Sequence, residues 1–587
     1  MSTKTLEIFF TGKNLVIPHY QRDYAWKPSN VDDLFEDVEE ALQVKGGHYL
    51  GTFILSQSDR SAPVFVVDGQ QRLTTLTMIL DALIDAVEDP AIRQHYRSNF
   101  ISHPVTGAKF KLQGGNGDFF VSLLAEQNPA PATDGQQRLL DAYERIQLRV
   151  GELRNRGGEE LVKQWLSCLS QLEVLEFVEP DEGKAIRMFQ SVNDRGVPLA
   201  RMDIVKSLLV YYSNRYLDGE LDQFISEQFG LAFHSFSRIK RLAAEDGYRV
   251  RLVNRDSFRE DDVLRYHYFA FDGSPFELES GADYSATADT VLETFLKPGL
   301  RDLRNDPSRL RNFIDSYSKD LAAFFGALEA LLVATRTDIV TYLLFVVQDL
   351  SATLYPLVIR LHLQDRLSAV GTGSDQRSLQ KIIEMVDLRV FKLRGTNPQA
   401  DVFRITAALS SLSVDEIISG LKQFCRHFMP DALMQSQVEN EYLYRNAGVP
   451  RMLLEVEFEE RKKGKKPRPS PAQLVALNCK GLTVEHILPQ EPNFKVRAYG
   501  FRSRDHYEEH KHRIGNLVLI EDTLNKTCSN RTVEDKMSAP ECYQKSGLWA
   551  VKALSAIHTP PGQPFRLLDI DNRAQTIANL MLKRWPI

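Results

Sequence analysis

Between residues 64 and 87 the chain passes from Val64-Phe65-Val66-Val67 through a single Asp68-Gly69 turn into Leu73, Leu76, Ile79, Leu80, Leu83, Ile84 and Val87. The first run has the composition of a strand. The second recurs at i, i+3, i+4 and i+7, the period of an amphipathic helix, with Pro90 as its breaker. A strand that turns straight into a helix commits this part of the chain to a mixed α+β architecture. Short apolar runs at 15–17, 49–55 and 172–178 add further strands. Helix-like segments flank Asn193-Asp194-Arg195-Gly196, and a first domain, 1–210, closes after them.

Residues 211–460 carry long apolar-periodic stretches, such as those at 321–325 and 342–347, so the middle of the chain reads as largely helical. At 461–471 the sequence is Arg-Lys-Lys-Gly-Lys-Lys-Pro-Arg-Pro-Ser-Pro, where like charges and three prolines discourage helix and packed strand alike. A basic, exposed linker is expected there, opening a third domain at 461–587. Three domains suit 587 residues at roughly 100–200 residues each. Hydrophobic and charged fractions of 43% and 26% are ordinary globular values, which excludes a disordered or fibrous chain. The net charge of −6 excludes a polycation, so any nucleic-acid contact must come from locally basic surface. Five widely spaced cysteines without a Cys-x-x-Cys argue against a disulfide framework or four-cysteine zinc site and for a reducing compartment. With no signal-like N-terminus and no run of about 18 apolar residues, a cytoplasmic protein without a membrane span is expected.

The densest chemistry lies in Thr483-Val484-Glu485-His486-Ile487-Leu488-Pro489-Gln490, followed by His512-Arg513-Ile514-Gly515-Asn516-Leu517-Val518-Leu519-Ile520 and Asn525-Lys526. The order suggests a short strand, a long excursion, a second strand and a helix. Phosphodiester hydrolysis needs a base for water and a hard cation for the charge on phosphate and leaving oxygen. His486 is the candidate base, and Glu485 and Asn525 offer oxygens suited to Mg²⁺. The plain alternative makes Glu485-His486 a strand end and the asparagines turn residues. His506, His510 and His512 also cluster, but without cysteine partners a zinc site is not favoured.

In the N-terminal part, Asp68-Gly69-Gln70-Gln71-Arg72 brings free backbone N–H groups and an arginine to a helix N-terminus, a ready anion site for a nucleotide phosphate. Arg72 offers a bidentate contact and Asp68 can hold a cation or orient water. No Gly-x-x-x-x-Gly-Lys-Ser/Thr occurs, so a P-loop is excluded. Upstream, Ile17-Pro18-His19-Tyr20-Gln21-Arg22-Asp23-Tyr24-Ala25-Trp26 crowds aromatic and cationic side chains that can sandwich a base or anchor a strand to the core.

The Glu485-His486-Ile-x-Pro489, Asn516-x-x-Leu519 and Asn525 residues, with the two asparagines nine apart, resemble the HNH (His-Me finger) nuclease motif in its ββα-metal form. The resemblance implies that His486 activates water, Asn516 holds the histidine-bearing loop, and Glu485 and Asn525 bind Mg²⁺ or Mn²⁺. The departures are an asparagine at the third position and a 30-residue gap between His486 and Asn516. Residues 8–210, with Ile17-Pro-x-Tyr-Gln-Arg-x-Tyr-x-Trp26, Asp68-Gly-Gln-Gln-Arg72 and Asn193-x-Arg-Gly-x-Pro-Leu199, resemble the ParB/sulfiredoxin-like nucleotide-site domain. By that resemblance Gln21, Arg22, Asp68, Gly69, Gln71, Arg72, Asn193 and Arg195 line a nucleoside triphosphate site, with ATP, GTP, UTP and CTP all open. Ala200 departs from the Ser or Thr usual before the next helix and weakens its N-cap.

The two ends together resemble GmrSD- and BrxU-type modification-dependent (type IV) restriction endonucleases. That resemblance implies nucleotide-dependent, metal-dependent cleavage of double-stranded phage DNA bearing hydroxymethylated or glucosylated cytosines, and it allows a homodimer. The alternatives are a phosphorothioate-sensing nickase resembling SspE and a non-cleaving, nucleotide-switched DNA-binding protein. The fold expected is an α+β multidomain chain: a ParB/sulfiredoxin-like N-terminal domain, a largely helical middle and a C-terminal ββα-metal HNH domain.

Overall fold

The computed structural model describes residues 2–17, 23–43, 49–57, 63–103, 107–112, 115–127, 129–180, 200–271, 285–373, 375–492, 494–558 and 564–587. Their architecture is α+β and multidomain. The chain divides into two compact units. One holds the described residues of 1–237 with Thr287–Ala322, and the other holds 238–271, 285–286 and Ala323–Ile587. The helical middle of the sequence is thereby shared between them.

The first unit is built on a six-stranded mixed sheet. Its strands are β1 (Ser2–Thr5), β2 (Leu15–Ile17), β3 (Tyr49–Ser56), β4 (Val64–Asp68), β5 (Phe110–Leu112) and β6 (Glu173–Glu179), in the order β1-β6-β3-β4-β2-β5. β3 runs parallel to β6 and antiparallel to β4, and β2 runs parallel to β4 and β5. The apolar runs read from the sequence supply these strands because β-branched and aromatic side chains fit a pleated, buried surface. Helix α1 (Gln70–Asp85) leaves β4 through Gly69, whose φ of +90° only glycine adopts freely, and a Cβ there would overlap the Phe53 ring. Residues 73–84 of α1 are buried throughout. Against α1 lies the long helical segment α2 (Asp134–Gln171), broken by a kink at Gly157–Gly158, whose N-terminus Thr133 caps by accepting the Gln136 N–H. Phe9, Phe53, Phe35 and Trp165 fill the core between them. Helix α3 (Arg201–Tyr216) starts at Ala200, which gives no side-chain cap.

The second unit is mostly helical. Residues 342–347 are helical, as their spacing predicts. The basic run departs from the sequence expectation in part, because Arg461, Lys462 and Lys463 are the last turn of α4 (Val449–Lys463), Pro471 opens the next helix, and only 464–470 are irregular. Arg461 pairs with Glu457 at 2.7 Å and Lys463 with Glu460 at 2.7 Å. Carboxylates one turn back, together with the negative end of the helix dipole, offset the like-charge repulsion that the sequence emphasises. Beyond lies an antiparallel ribbon of β7 (Leu482–His486) and β8 (Leu517–Glu521), in register His486↔Leu517 and Glu485↔Val518. The connection between them contains α5 (Arg504–His510), and β8 passes directly into α6 (Asp522–Cys528). Helices α7 (Val533–Ser538) and α8 (Leu567–Arg584) follow. Among the described residues no single helix is long and apolar enough to cross a membrane.

Candidate active site

The β7–β8 ribbon and α6 carry the sequence-predicted C-terminal residues, with Glu485 and Asn525 toward one face and His486 toward the other. Side chains alternate along a strand, so Thr483 and Glu485 share one face of β7 and Val484 and His486 the other. On α6, Asn525 donates through Nδ2 to Thr483 Oγ1 at 2.8 Å, which sets it toward the Glu485 face. Glu485 is buried, and its Oε1 accepts from Lys536 Nζ at 2.6 Å. The same ammonium donates to the His486 carbonyl oxygen at 2.7 Å. Burial raises the Glu485 carboxyl above its ordinary range, against the opposing pull of Lys536. Glu485 and Asn525 are therefore each held by a different partner.

His486 is 2% exposed. Its Nε2 lies 2.9 Å from His512 Nδ1, and the Tyr444 ring packs on it at a centroid distance of 4.2 Å. Burial, reinforced by His512, Lys536 and Lys511, lowers its pKa to about 3, so the imidazole is neutral at neutral pH. Fully buried Asn516 holds the segment that follows His486. Its Oδ1 accepts the Leu488 N–H at 2.8 Å, and its Nδ2 donates to the carbonyls of Leu488 at 3.1 Å and Lys511 at 2.8 Å. One amide thus ties the residues after His486 to the residue before His512.

His512 and Lys536 belong to this site although the motif does not contain them. His512 carried a faint signal, four residues before Asn516, but its grouping with His506 and His510 pointed elsewhere. Those two, with Glu509, share a face of α5, and their ligand-type atoms lie within 4.8 Å of one another. His506 Nδ1, however, accepts from the Arg502 N–H at 3.3 Å, which leaves the proton of a neutral ring on Nε2 and makes it a poorly prepared ligand. Lys536 carried no signal, since 51 residues separate it from Glu485 and only the tertiary fold joins them.

In the first unit, Asp68 Oδ1 accepts the Gly69 N–H at 2.7 Å, and burial raises its pKa while Arg72 pulls it down. Gly69 gives α1 no side-chain cap, so no cap side chain satisfies the N–H groups of its first turn. Gln71 Oε1 accepts the Ala25 N–H at 2.7 Å, and its Nε2 donates to the Asp23 carbonyl at 3.2 Å. Buried Tyr24 meets Thr75 at 2.7 Å, so this aromatic anchors the segment to α1. Arg72 packs against Gly51, where a Cβ would overlap the guanidinium. The α3 residue Lys206 is buried beside Asp203 and Asp23, and desolvation lowers its pKa to about 8. Gln21, Arg22, Asn193 and Arg195 lie outside the described residues.

Two family models match the chain. Residues 6–210 match the GmrSD restriction endonuclease N-terminal domain, and residues 430–579 match the GmrSD restriction endonuclease C-terminal domain. No curated protein matches the chain. The two matches contain, respectively, the Gly69 turn with its arginine and the ribbon that carries His486, Asn516 and Asn525, and on them the chain belongs to the GmrSD family of type IV restriction endonucleases, enzymes that act on DNA.

Proposed function

We propose that the chain cleaves phage DNA carrying hydroxymethylated or glucosylated cytosines by metal-dependent phosphodiester hydrolysis, gated by a nucleoside triphosphate. The observation that carries this reading is His486: a buried, neutral imidazole whose flanking loop Asn516 clamps at both Leu488 and Lys511. A neutral ring is the protonation state a general base needs. A DNA phosphate arriving beside it adds negative charge and raises its proton affinity at the moment it takes the proton of the attacking water.

The residues fit a hard divalent cation in kind. Glu485 supplies carboxylate oxygen, and Asn525, having given Nδ2 to Thr483, keeps Oδ1 for a cation. Glu485 and Asn525 would hold Mg²⁺ or Mn²⁺, which supplies charge neutralisation at the phosphate and the leaving oxygen. His486 moves the proton, Asn516 fixes the loop, and Lys536 sets the carboxylate and the His486 backbone.

The nucleotide reading rests on the uncapped α1 N-terminus with Arg72 in its first turn and on Lys206 beside Asp23, whose carbonyl Gln71 of that turn binds, which favours an anionic ligand such as a triphosphate. Gating suits an enzyme whose unrestrained activity would damage host DNA. The test is digestion of phage DNAs bearing cytosine, hydroxymethylcytosine or glucosylated hydroxymethylcytosine, and of phosphorothioate plasmid. Each is incubated with and without NTP, and with Mg²⁺ or EDTA. Cleavage confined to modified-cytosine DNA, with NTP and metal, is expected. Cleavage only of phosphorothioate DNA, or undiminished cleavage in EDTA, would overturn the assignment.

A further inference from the structure

We infer that His512 is a positioning residue that accepts the Nε2–H of His486 on its own Nδ1 and so keeps His486 Nδ1 as the nitrogen that takes the water proton. The inference rests on the reading of His486 as the general base. A neutral imidazole has one N–H and one lone pair, so the bond made by one nitrogen fixes the role of the other. The 2.9 Å contact between His486 Nε2 and His512 Nδ1 engages one nitrogen of each ring. If His512 were the donor, the His486 lone pair would be consumed in that bond and its Nδ1 would carry hydrogen. Only the opposite arrangement leaves His486 able to accept a proton. In the step itself an O–H bond of water breaks as its oxygen bonds to phosphorus. The bond from phosphorus to the leaving sugar oxygen breaks, that oxygen departing with its electron pair and taking a proton from solvent water. The proton of the attacking water goes to His486 Nδ1, and the Nε2–H remains directed at His512.

The fold holds both rings for this purpose. Tyr444 lies against His486 at 4.2 Å and stacks on His512 at 5.4 Å and 22°, while Tyr442 packs on the other ring neighbour, His512, at 4.5 Å. The His512 carbonyl accepts the Leu443 N–H at 3.1 Å, so the segment bearing the two tyrosines is tied to the histidine it supports. Asn516 binds Leu488 and Lys511 together, which sets the segment just after His486 and the residue before His512 in fixed register. Nothing in the ββα-metal motif requires an imidazole at 512. The pairing belongs to this chain's geometry.

Three substitutions separate acceptor from filler. His512→Asn places Oδ1 where Nδ1 stood, His512→Phe fills the space without an acceptor, and His512→Ala removes both. They are assayed on phage DNA with glucosylated hydroxymethylcytosine, with NTP and Mg²⁺. The kcat is expected to fall by at least tenfold in His512→Phe and His512→Ala, within the ~10²–10⁴ that general base catalysis contributes. It stays within about threefold of wild type in His512→Asn, with KM for DNA unchanged in all three. Wild-type kcat in His512→Phe, or His512→Asn as slow as His512→Ala, overturns the inference. His486→Ala, run alongside, distinguishes the two levels: if it cleaves normally the base assignment itself fails, and if it is inactive while His512→Phe is active only the positioning role fails. Nitrogen-15 shifts of histidine-labelled wild-type protein test the same point without a substitution. Hydrogen on His486 Nε2 supports the inference, and hydrogen on Nδ1 overturns it.

Discussion

Lys536 Nζ lies 2.6 Å from Glu485 Oε1 and 2.7 Å from the His486 carbonyl oxygen, so one buried ammonium joins the carboxylate and the backbone of the imidazole in the proposed chemistry. Removing one partner of a buried pair strands the other charge, which costs about 3–5 kcal/mol, whereas removing both is far milder. Lys536→Met should lower the urea midpoint of the C-terminal unit by a corresponding amount, and Glu485→Gln combined with it should recover most of the loss. A double-mutant cycle with no coupling between the two positions would contradict the pairing.

Asp81 makes a prediction in the first unit. It lies buried on α1, with no hydrogen-bond partner for either oxygen among the described residues, and Arg97 is 3.4 Å away. Burial, followed by Asp85, raises its pKa to about 7 against the ordinary 3.8. A carboxyl raised in the folded state contributes stability that is present below pH 4 and is lost as pH rises through about 7. Asp81→Asn should therefore raise the melting temperature by several degrees at pH 8 and by much less at pH 5. Equal shifts at both pH values would show that Asp81 ionises as freely in the folded chain as in the unfolded one.

Gly51 controls Arg72. Its φ is +121° and a Cβ there would overlap the guanidinium, so Gly51→Ala should displace Arg72 without touching the α1 turn itself. The expected result is a loss of nucleotide binding of tenfold or more, similar to that of Arg72→Ala, measured by fluorescent nucleotide titration. Unchanged affinity in both variants would remove this turn from the nucleotide site.

The local elements were legible in the sequence because local rules produce them. The 64–87 segment is a strand, a glycine turn and a helix because apolar period and backbone freedom agree there. The β7–β8 ribbon and α6 follow the order of their motif for the same reason. Pairings across long sequence separations were not legible. Glu485 meets Lys536 and His486 meets His512 because α7 and the excursion fold back on the ribbon, and no spacing rule encodes that. The basic run misled in its first three residues because its carboxylate partners lie one turn upstream, inside a helix whose end the charge count obscured.

The central claim is that His486 is the base of a DNA-cleaving site that is separate from the nucleotide site. Measuring nicking and linearisation of glucosylated hydroxymethylcytosine DNA by His486→Ala, together with its NTP turnover, tests it most directly. Cleavage should fall by at least ~10²-fold while NTP turnover is unchanged, in a protein whose thermal unfolding matches wild type. Cleavage at the wild-type rate by that variant would contradict the account.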